Sequence, residues 1–434
     1  MLLSYIDPGT GSLLGSAVIG LTLALIFYMR GLFYRLLSAV TGRRNACHSD
    51  FSEQLVFFSE GRNYWHVFQP IFRELLSQNN TQQQLGGRPM VYLTADKDDP
   101  GLEWLSQYPQ QVQTFCPGTL SSTIYTMNRL KAAMCVMTTP QLDIMQLKRS
   151  AHVGHYCHVM HSPDDIHTYE KFAFDYFDSV LCTSRHVMDN LRYLQQQRQT
   201  DYMRKKGLIQ KRQLLETGCP YYQNYFFDSD YKPNSGTDNN ADNGEKGGQA
   251  TVPQLCVLLA SSWGERSFLN HIESILEQLL QLSCRVIFRP HPQAWVSDKK
   301  VLEQTEKLYG ERVQIDREVD NRPSMQQADV LICDISGIIY DFAFIHQKPV
   351  LALYPDQTKS AGYEAGDLQT PSSTFALLEE VGASLPIADI DQLDWLLPQV
   401  VQKQVSRRTI DKYVFHFENA GSVAARQILE LYQG

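Results

Sequence analysis

The sequence predicts an α/β protein: two doubly wound, Rossmann-type lobes with a cleft between them, preceded by one N-terminal transmembrane helix. Three observations carry that expectation. Short apolar runs end in polar turns and lead into segments with helical spacing, the pattern of βα units in a parallel sheet covered on both faces. The pattern runs from Leu55 to Thr217, stops, and starts again at Leu255. The break, DSDYKPNSGTDNNADNGEKGGQ from Asp228 to Gln249, has almost nothing apolar to bury and predicts an exposed linker or disordered loop.

The bulk numbers agree with this plan. A chain of 434 residues has room for two cores. Its net charge of −8 gives no global basic field for nucleic acid. Nine cysteines are present without a CxxC pair. Cys135, Cys182, Cys256 and Cys333 sit inside apolar runs, which predicts reduced, buried thiols rather than a disulfide framework.

Residues 1–45 read as a membrane anchor. Leu13 to Met29, LLGSAVIGLTLALIFYM, carries no charge and is about the minimum length for a span; a buried or interfacial helix is the alternative. No basic segment precedes it and no small-residue cleavage site follows, so a signal peptide is not indicated. Arg30, Arg35, Arg43 and Arg44 come after the span, which places Met1 outside and the remainder in the cytoplasm. The expected location is therefore the bacterial cytoplasmic membrane, single-pass, with the catalytic part on the cytoplasmic side. Tyr28, Phe33 and Tyr34 suit an interfacial belt.

The first lobe, expected over 50–227, opens with a strand at Leu55–Phe58, a turn at Ser59–Asn63 and a helix at Tyr64–Leu76. Further strands are expected at Met90–Leu93, Val112–Phe115, Ala133–Met137, His152–Met160, Ser179–Cys182 and Leu214–Thr217, with helices at Gly118–Leu130 and Ser184–Leu194. The second lobe, expected over 250–434 after a linker at 228–249, repeats the alternation. Its strands are expected at Leu255–Ala260, Arg285–Phe288, Val313–Asp316, Val330–Cys333, Val350–Tyr354 and Ala383–Pro386. Helices are expected at Glu265–Leu282, Ser324–Ala328 and, as one closing amphipathic helix, Asp411–Tyr432.

Chemistry is expected at the carboxyl ends of these strands, where open α/β sheets bind ligands. The run Val330–Cys333 breaks into Asp334-Ile335-Ser336-Gly337 and then a helix with Asp341 on its first turn. Such a turn offers free N–H groups and a helix dipole to a phosphate. Ser336 adds a hydroxyl and Gly337 permits close approach, although a plain helix cap would read the same. Ser261-Ser262-Trp263-Gly264 repeats the logic, with Trp263 expected in the core more than under a base. Arg289-Pro290-His291-Pro292 ends another strand, and its two-residue spacing lets Arg289 and His291 point the same way. Four histidines fall three apart, at 152, 155, 158 and 161; a strand alternates their faces, which argues against a shared metal site. His161 ends its run and is placed to take a proton from a substrate hydroxyl.

Together these pieces resemble the CDP-glycerol glycerophosphotransferase family, the teichoic-acid primases and polymerases. The resemblance covers most of 55–430. It rests on His161, the Thr-Gly-x-Pro at 217–220, the Arg-x-His-Pro at 289–292, the Asp-x-Ser turn with Asp341-Phe342, and the Phe174–Asp178 stretch. The family usually shows His-Gly where this chain has His161-Ser162, and often Ser-Ser where it has Ser336-Gly337. The resemblance implies a GT-B fold and transfer of an alditol phosphate from a CDP-alditol to a lipid-linked glycan or teichoic-acid-like acceptor, with release of CMP. It implies His161 as base, with His291 also catalytic. Arg289, Asp334, Ser262, Ser336 and Gly337 would bind the donor. No cofactor is firmly implied; a soluble divalent cation such as Mg2+ at the pyrophosphate is compatible. A nucleotide-sugar glycosyltransferase and a non-catalytic, membrane-anchored nucleotide-binding protein are the alternatives.

Overall fold

A computed structural model of the protein describes residues 49–78, 80–144, 146–198, 212–227, 254–264, 267–318, 320–354, 368 and 370–434. The span expected at 13–29 and the linker expected at 228–249 lie outside the described residues. Among the described residues no helix is long and apolar enough to cross a membrane.

Strands covered on both faces need nearly continuous apolar runs, and the runs read above become two parallel sheets. The first contains β1 (Asp50–Ser59), β2 (Met90–Thr94), β3 (Val112–Phe115), β4 (Lys131–Met137), β5 (Val153–Val159), β6 (Ser179–Cys182) and β7 (Gln213–Glu216), in the order β3-β2-β1-β4-β5-β6-β7. The second contains β8 (Cys256–Ser261), β9 (Arg285–Pro290), β10 (Gln314–Ile315), β11 (Val330–Cys333), β12 (Val350–Tyr354) and β13 (Gly382–Pro386), in the order β10-β9-β8-β11-β12-β13. Each sheet grows outward from its first strand and then reverses, at β1/β4 and at β8/β11. A reversal point leaves a crevice beyond the strand ends, because the flanking connections leave in opposite directions.

The chain divides into two compact units, residues 1–65 with 80–156 and residues 66–79 with 157–434. In the first, the buried Asp99 carboxylate accepts hydrogen bonds from Tyr92 (2.8 Å) and Thr94 (2.7 Å) and caps the short helix at Pro100–Leu105 through the Gly101 amide (2.8 Å). In the second, α1 (Trp65–Ser77) contributes residues 66–77, and α2 (Arg185–Gln197) follows β6 with Ser184 as its cap. The second sheet is covered by α3 (Ile272–Gln281), which buries Ile272, Ile275, Leu276 and Leu279 at helical spacing. α3 starts later than the helix expected from Glu265. Ser267 first caps a 3-10 turn at Phe268–His271, and Glu265 lies outside the described residues. α4 (Ile338–Ile345) follows β11, α5 (Ser373–Val381) precedes β13, and α6 (Leu393–Val401) packs Leu393, Leu397 and Val400 into the same core.

The single closing helix expected at Asp411–Tyr432 is instead two, α7 (Arg407–Tyr413) and α8 (Ala420–Gln433). Burial of one aromatic side chain accounts for the break. Phe417 sits among the rings of Tyr222 (5.1 Å), Phe226 (5.5 Å) and Phe344 (6.4 Å). To reach them the chain leaves helical geometry, with His416 at φ 45° and the Phe415 N–H donating to Thr183 O at 2.8 Å. α8 then packs on the segment after β7. Gln427 donates to Glu216 O (3.0 Å) and accepts from Thr217 (2.5 Å), and Ser422 donates to Glu74 (3.0 Å).

Gly218 is required at this junction. It has φ 91°, and a β-carbon there would lie 2.0 Å from Phe415 O. Gly218→Ala is expected to destabilise the protein by about 2 kcal/mol or more, from backbone strain and displacement of 415–417 together. A urea unfolding curve with an unshifted midpoint would show that the junction yields freely.

Candidate functional site

At the reversal point of the second sheet β8 and β11 run side by side, with Ala260 paired to Cys333. Asp334 follows immediately. Its carboxylate turns back over β8, and Oδ2 accepts both the Ser262 N–H (2.7 Å) and the Ser262 hydroxyl (2.7 Å). The side chain is almost fully buried, and burial pushes its pKa up to about 6 against the opposing pull of Ser262. Asp334 was expected to touch the donor. It does not line the cavity and instead fixes the Ser262 turn that does.

The cavity, of about 600 Å³, opens where four strands end. His161, Ser162 and Asp164 come from the loop after β5. Ser262 and Trp263 come from the turn after β8, Arg289 and His291 from the end of β9, and Ser336 and Gly337 from the turn after β11. His66 of α1, Tyr221 and Asp341 complete it. All these residues belong to one compact unit. Of the expected site residues, His161, His291, Arg289, Ser262, Ser336 and Gly337 face the same space; only Asp334 stands behind it.

His291 is held so that its protonation can be assigned. Nδ1 accepts the Gln293 N–H at 3.1 Å, so the neutral ring carries its proton on Nε2. Desolvation lowers its pKa below the ordinary histidine value. At neutral pH the side chain is therefore a hydrogen-bond donor, not a base. Trp263, expected in the core, is 46% exposed, with its ring centroid 4.2 Å from that of His291. The polar turn after β8 carries the indole out of the sheet's core and onto the imidazole.

Arg289 is less available than its position implied. Nη1 donates to Asp316 at 2.6 Å and Nη2 to Glu318 O at 2.7 Å. The guanidinium reaches the cavity as one partner of an ion pair, which fixes its plane and moderates its charge.

The loop after β5 is anchored from its far side. Asp165 is buried and accepts from the Ser373 N–H (2.6 Å) and hydroxyl (3.0 Å) at the start of α5. Its other oxygen meets His167 Nδ1 at 2.6 Å, and His167 Nε2 meets Thr370 O at 2.8 Å. Both ring nitrogens face oxygens that can only accept, so both carry protons and His167 is an imidazolium. Burial opposes that charge, but the Asp165 hydrogen bond and charge outweigh it and raise the pKa. The other histidines of the series lie elsewhere, and His158 is sandwiched between Phe174 and Phe177 at 4.9 Å from each.

Asp164, Tyr221 and His66 are among the lining groups that escaped the sequence reading. The adjacent Asp164-Asp165 pair after His161 was a visible signal, whereas His66 and Tyr221 arrive by packing alone. Asp341 feels the Asp164 charge, and Asp164 feels that of Asp165. Burial pushes Asp164 up to about 6, and burial together with the Asp164 charge pushes Asp341 up to about 8. Tyr221 and Tyr222 both donate to Asp341 Oδ1, the latter at 3.3 Å.

Residues 52–363 match the model of the family described as CDP-Glycerol:Poly(glycerophosphate) glycerophosphotransferase. The chain belongs to this family. Like the rest of these glycerophosphotransferases it is a transferase enzyme. No curated protein matches the sequence. Among solved structures, UDP-GlcNAc 2-epimerase from Neisseria meningitidis bound to UDP-GlcNAc is 13% identical with a TM-score of 0.50, over 87% of this chain and 99% of that one. UDP-GlcNAc 2-epimerase from Methanocaldococcus jannaschii in complex with UDP-GlcNAc and UDP is 14% identical with a TM-score of 0.49, over 86% and 99%. The first likeness is one of fold: an α/β chain with two parallel sheets.

The acid pair has a measurable consequence for this family member. The folded state holds the Asp341 proton more tightly than the unfolded chain, so stability present at low pH is lost as pH rises from 3.8 through about 8. Asp341→Asn keeps an oxygen for the tyrosine hydroxyls and removes the titration. Its melting temperature is expected to exceed the parent's by roughly 5 °C at pH 8.5, with the gap closing toward pH 4. A gap independent of pH would show that Asp341 holds no such proton.

Proposed function

We propose that the protein transfers an alditol phosphate, glycerol or ribitol phosphate, from a CDP-alditol to a hydroxyl of a lipid-linked, teichoic-acid-like acceptor and releases CMP. The observation that carries this reading is the convergence of His161, His291 and the two phosphate-type turns on one cavity. The family match supports the reaction class, and the sheet reversal point supports a nucleotide donor there. In this reading the two sheets are the lobes of a GT-B enzyme, 50–227 on the acceptor side and 250–434 on the donor side. The segment 13–29 holds it on the cytoplasmic face of the bacterial membrane.

The proposed step is an in-line displacement. The acceptor oxygen bonds to the alditol-bearing phosphorus as the bond from that phosphorus to the bridging oxygen breaks, and CMP departs with the bridging oxygen. His161 takes the acceptor's proton. The Nε2–H of His291 donates to the phosphoryl oxygens as charge moves toward CMP. Ser336 and the Gly337 N–H, at the amino end of α4, hold the pyrophosphate, with Arg289 beside them; Ser262, whose N–H and hydroxyl both go to Asp334, shapes the facing turn rather than donating to the ligand. Among the described residues no group of three His, Cys, Asp or Glu could hold a metal ion. Metal involvement, if any, is proposed as a soluble divalent ion brought by the pyrophosphate, which EDTA would reveal.

His161→Ala and His291→Ala are each expected to slow CMP release from CDP-glycerol or CDP-ribitol by roughly 10²-fold or more, with unchanged circular dichroism. Parent-like release in both variants would overturn the assignment. A thermal-shift panel of CDP-polyols and UDP- or GDP-sugars tests the donor. Stabilisation by a nucleotide sugar and not by CDP-polyols would favour a glycosyltransferase.

A further inference from the structure

Gly337 has ordinary helical torsions, φ −59° and ψ −23°, so its backbone does not demand a glycine. Its surroundings do. A β-carbon at 337 would lie 3.0 Å from Asp164 Oδ1, 3.3 Å from Asp164 Oδ2 and 3.3 Å from Ser162 Oγ. Ser162 donates its hydroxyl to the Asp164 carboxyl. The hydroxyl–carboxyl pair thus occupies the volume that a side chain at 337 would fill, directly over the amino end of α4, which has no side-chain cap. A serine at 337 would bring its own hydroxyl to the same carboxyl, and the two hydroxyls compete for one space.

We propose that Ser162 and Gly337 are a single positioning unit. Ser162 supplies the hydroxyl that Asp164 requires from one side of the cavity, Gly337 leaves room for it, and a serine at 337 can replace Ser162 but cannot coexist with it. The family that this chain resembles usually has glycine at the position of Ser162 and often serine at that of Gly337. Ser162 is joined to His161 by one peptide bond and Gly337 closes the turn after β11. The unit therefore ties the proton-accepting loop to the phosphate-facing turn. It rests on the proposed function only for what those two segments do.

A double-substitution cycle tests it with the full chain. Gly337→Ser is expected to lower the melting temperature by roughly 5 °C in the parent and to raise it in the Ser162→Gly background, a reversal of sign. Gly337→Ala adds the β-carbon without the hydroxyl, so it should lower the melting temperature in the parent and fail to rescue Ser162→Gly. Turnover should follow the same reversal: kcat for CMP release from CDP-glycerol falls roughly tenfold in each single variant and recovers in the double, while KM changes less. A Gly337→Ser effect of the same sign in both backgrounds, or equal rescue by alanine, would overturn the proposal. A sign reversal in melting temperature with no CMP release from the parent would keep the positioning unit and overturn the proposed function.

Discussion

The candidate site depends first on a buried carboxylate that never reaches the cavity. Asp334 leaves β11 and accepts two 2.7 Å hydrogen bonds from Ser262, across the line where the second sheet reverses. Burying a carboxylate without hydrogen bonds is costly, and Oδ2 takes both of the Ser262 bonds, so breaking the Ser262 turn away from it is disfavoured. Arg289 and Asp316 do the same for the neighbouring pair, tying the end of β9 to the residue after β10. The turns that line the cavity are thereby fixed before any ligand arrives, a preorganisation that stabilising a developing charge requires.

The charge inventory of the cavity is sparse in cations for a site proposed to take a pyrophosphate. Among the described residues that line it, Arg289 is the one permanent cation, and it already has a carboxylate partner. Two acids face the same space with their affinity for protons raised. Attraction for a phosphate must then come from oriented N–H and O–H groups, the helix end and the neutral His291. Such groups gain strength as water is excluded, whereas an ion pair between mobile partners gains little at an exposed surface.

The strands were legible because parallel strands buried on both faces have little freedom in composition. Val112–Phe115, Ser179–Cys182, Val330–Cys333 and Val350–Tyr354 appear where the apolar runs stand. Polar turns at their carboxyl ends were legible for the same reason, since a change from Cys333 to Asp334 marks where the sheet stops. Pairings across hundreds of residues left no local trace. Nothing near Arg289 announces Asp316, and nothing near His161 announces Gly337. The division of the closing helix into α7 and α8 depends on a pocket for Phe417 built from Tyr222, Phe226 and Phe344, which helical periodicity cannot register. Trp263 was misplaced because tryptophan usually goes inward, while here the turn after β8 sets it against an imidazole.

The contacts of α8 bear on the order in which the protein can be made. Ser422 meets Glu74, 348 positions earlier in the chain, and Gln427 meets Thr217 and Glu216. A ribosome adding about 5–20 residues per second takes on the order of twenty seconds to a minute to make that intervening length. Throughout that interval the surface that α8 will cover, beside α1 and the segment after β7, lacks its partner. The first sheet can pair its strands as they emerge, but the junction of α8 with Glu74, Glu216 and Thr217 closes only after α8 has cleared the exit tunnel. Nascent chains of this protein therefore pass through a window in which that surface is complete except for its last helix.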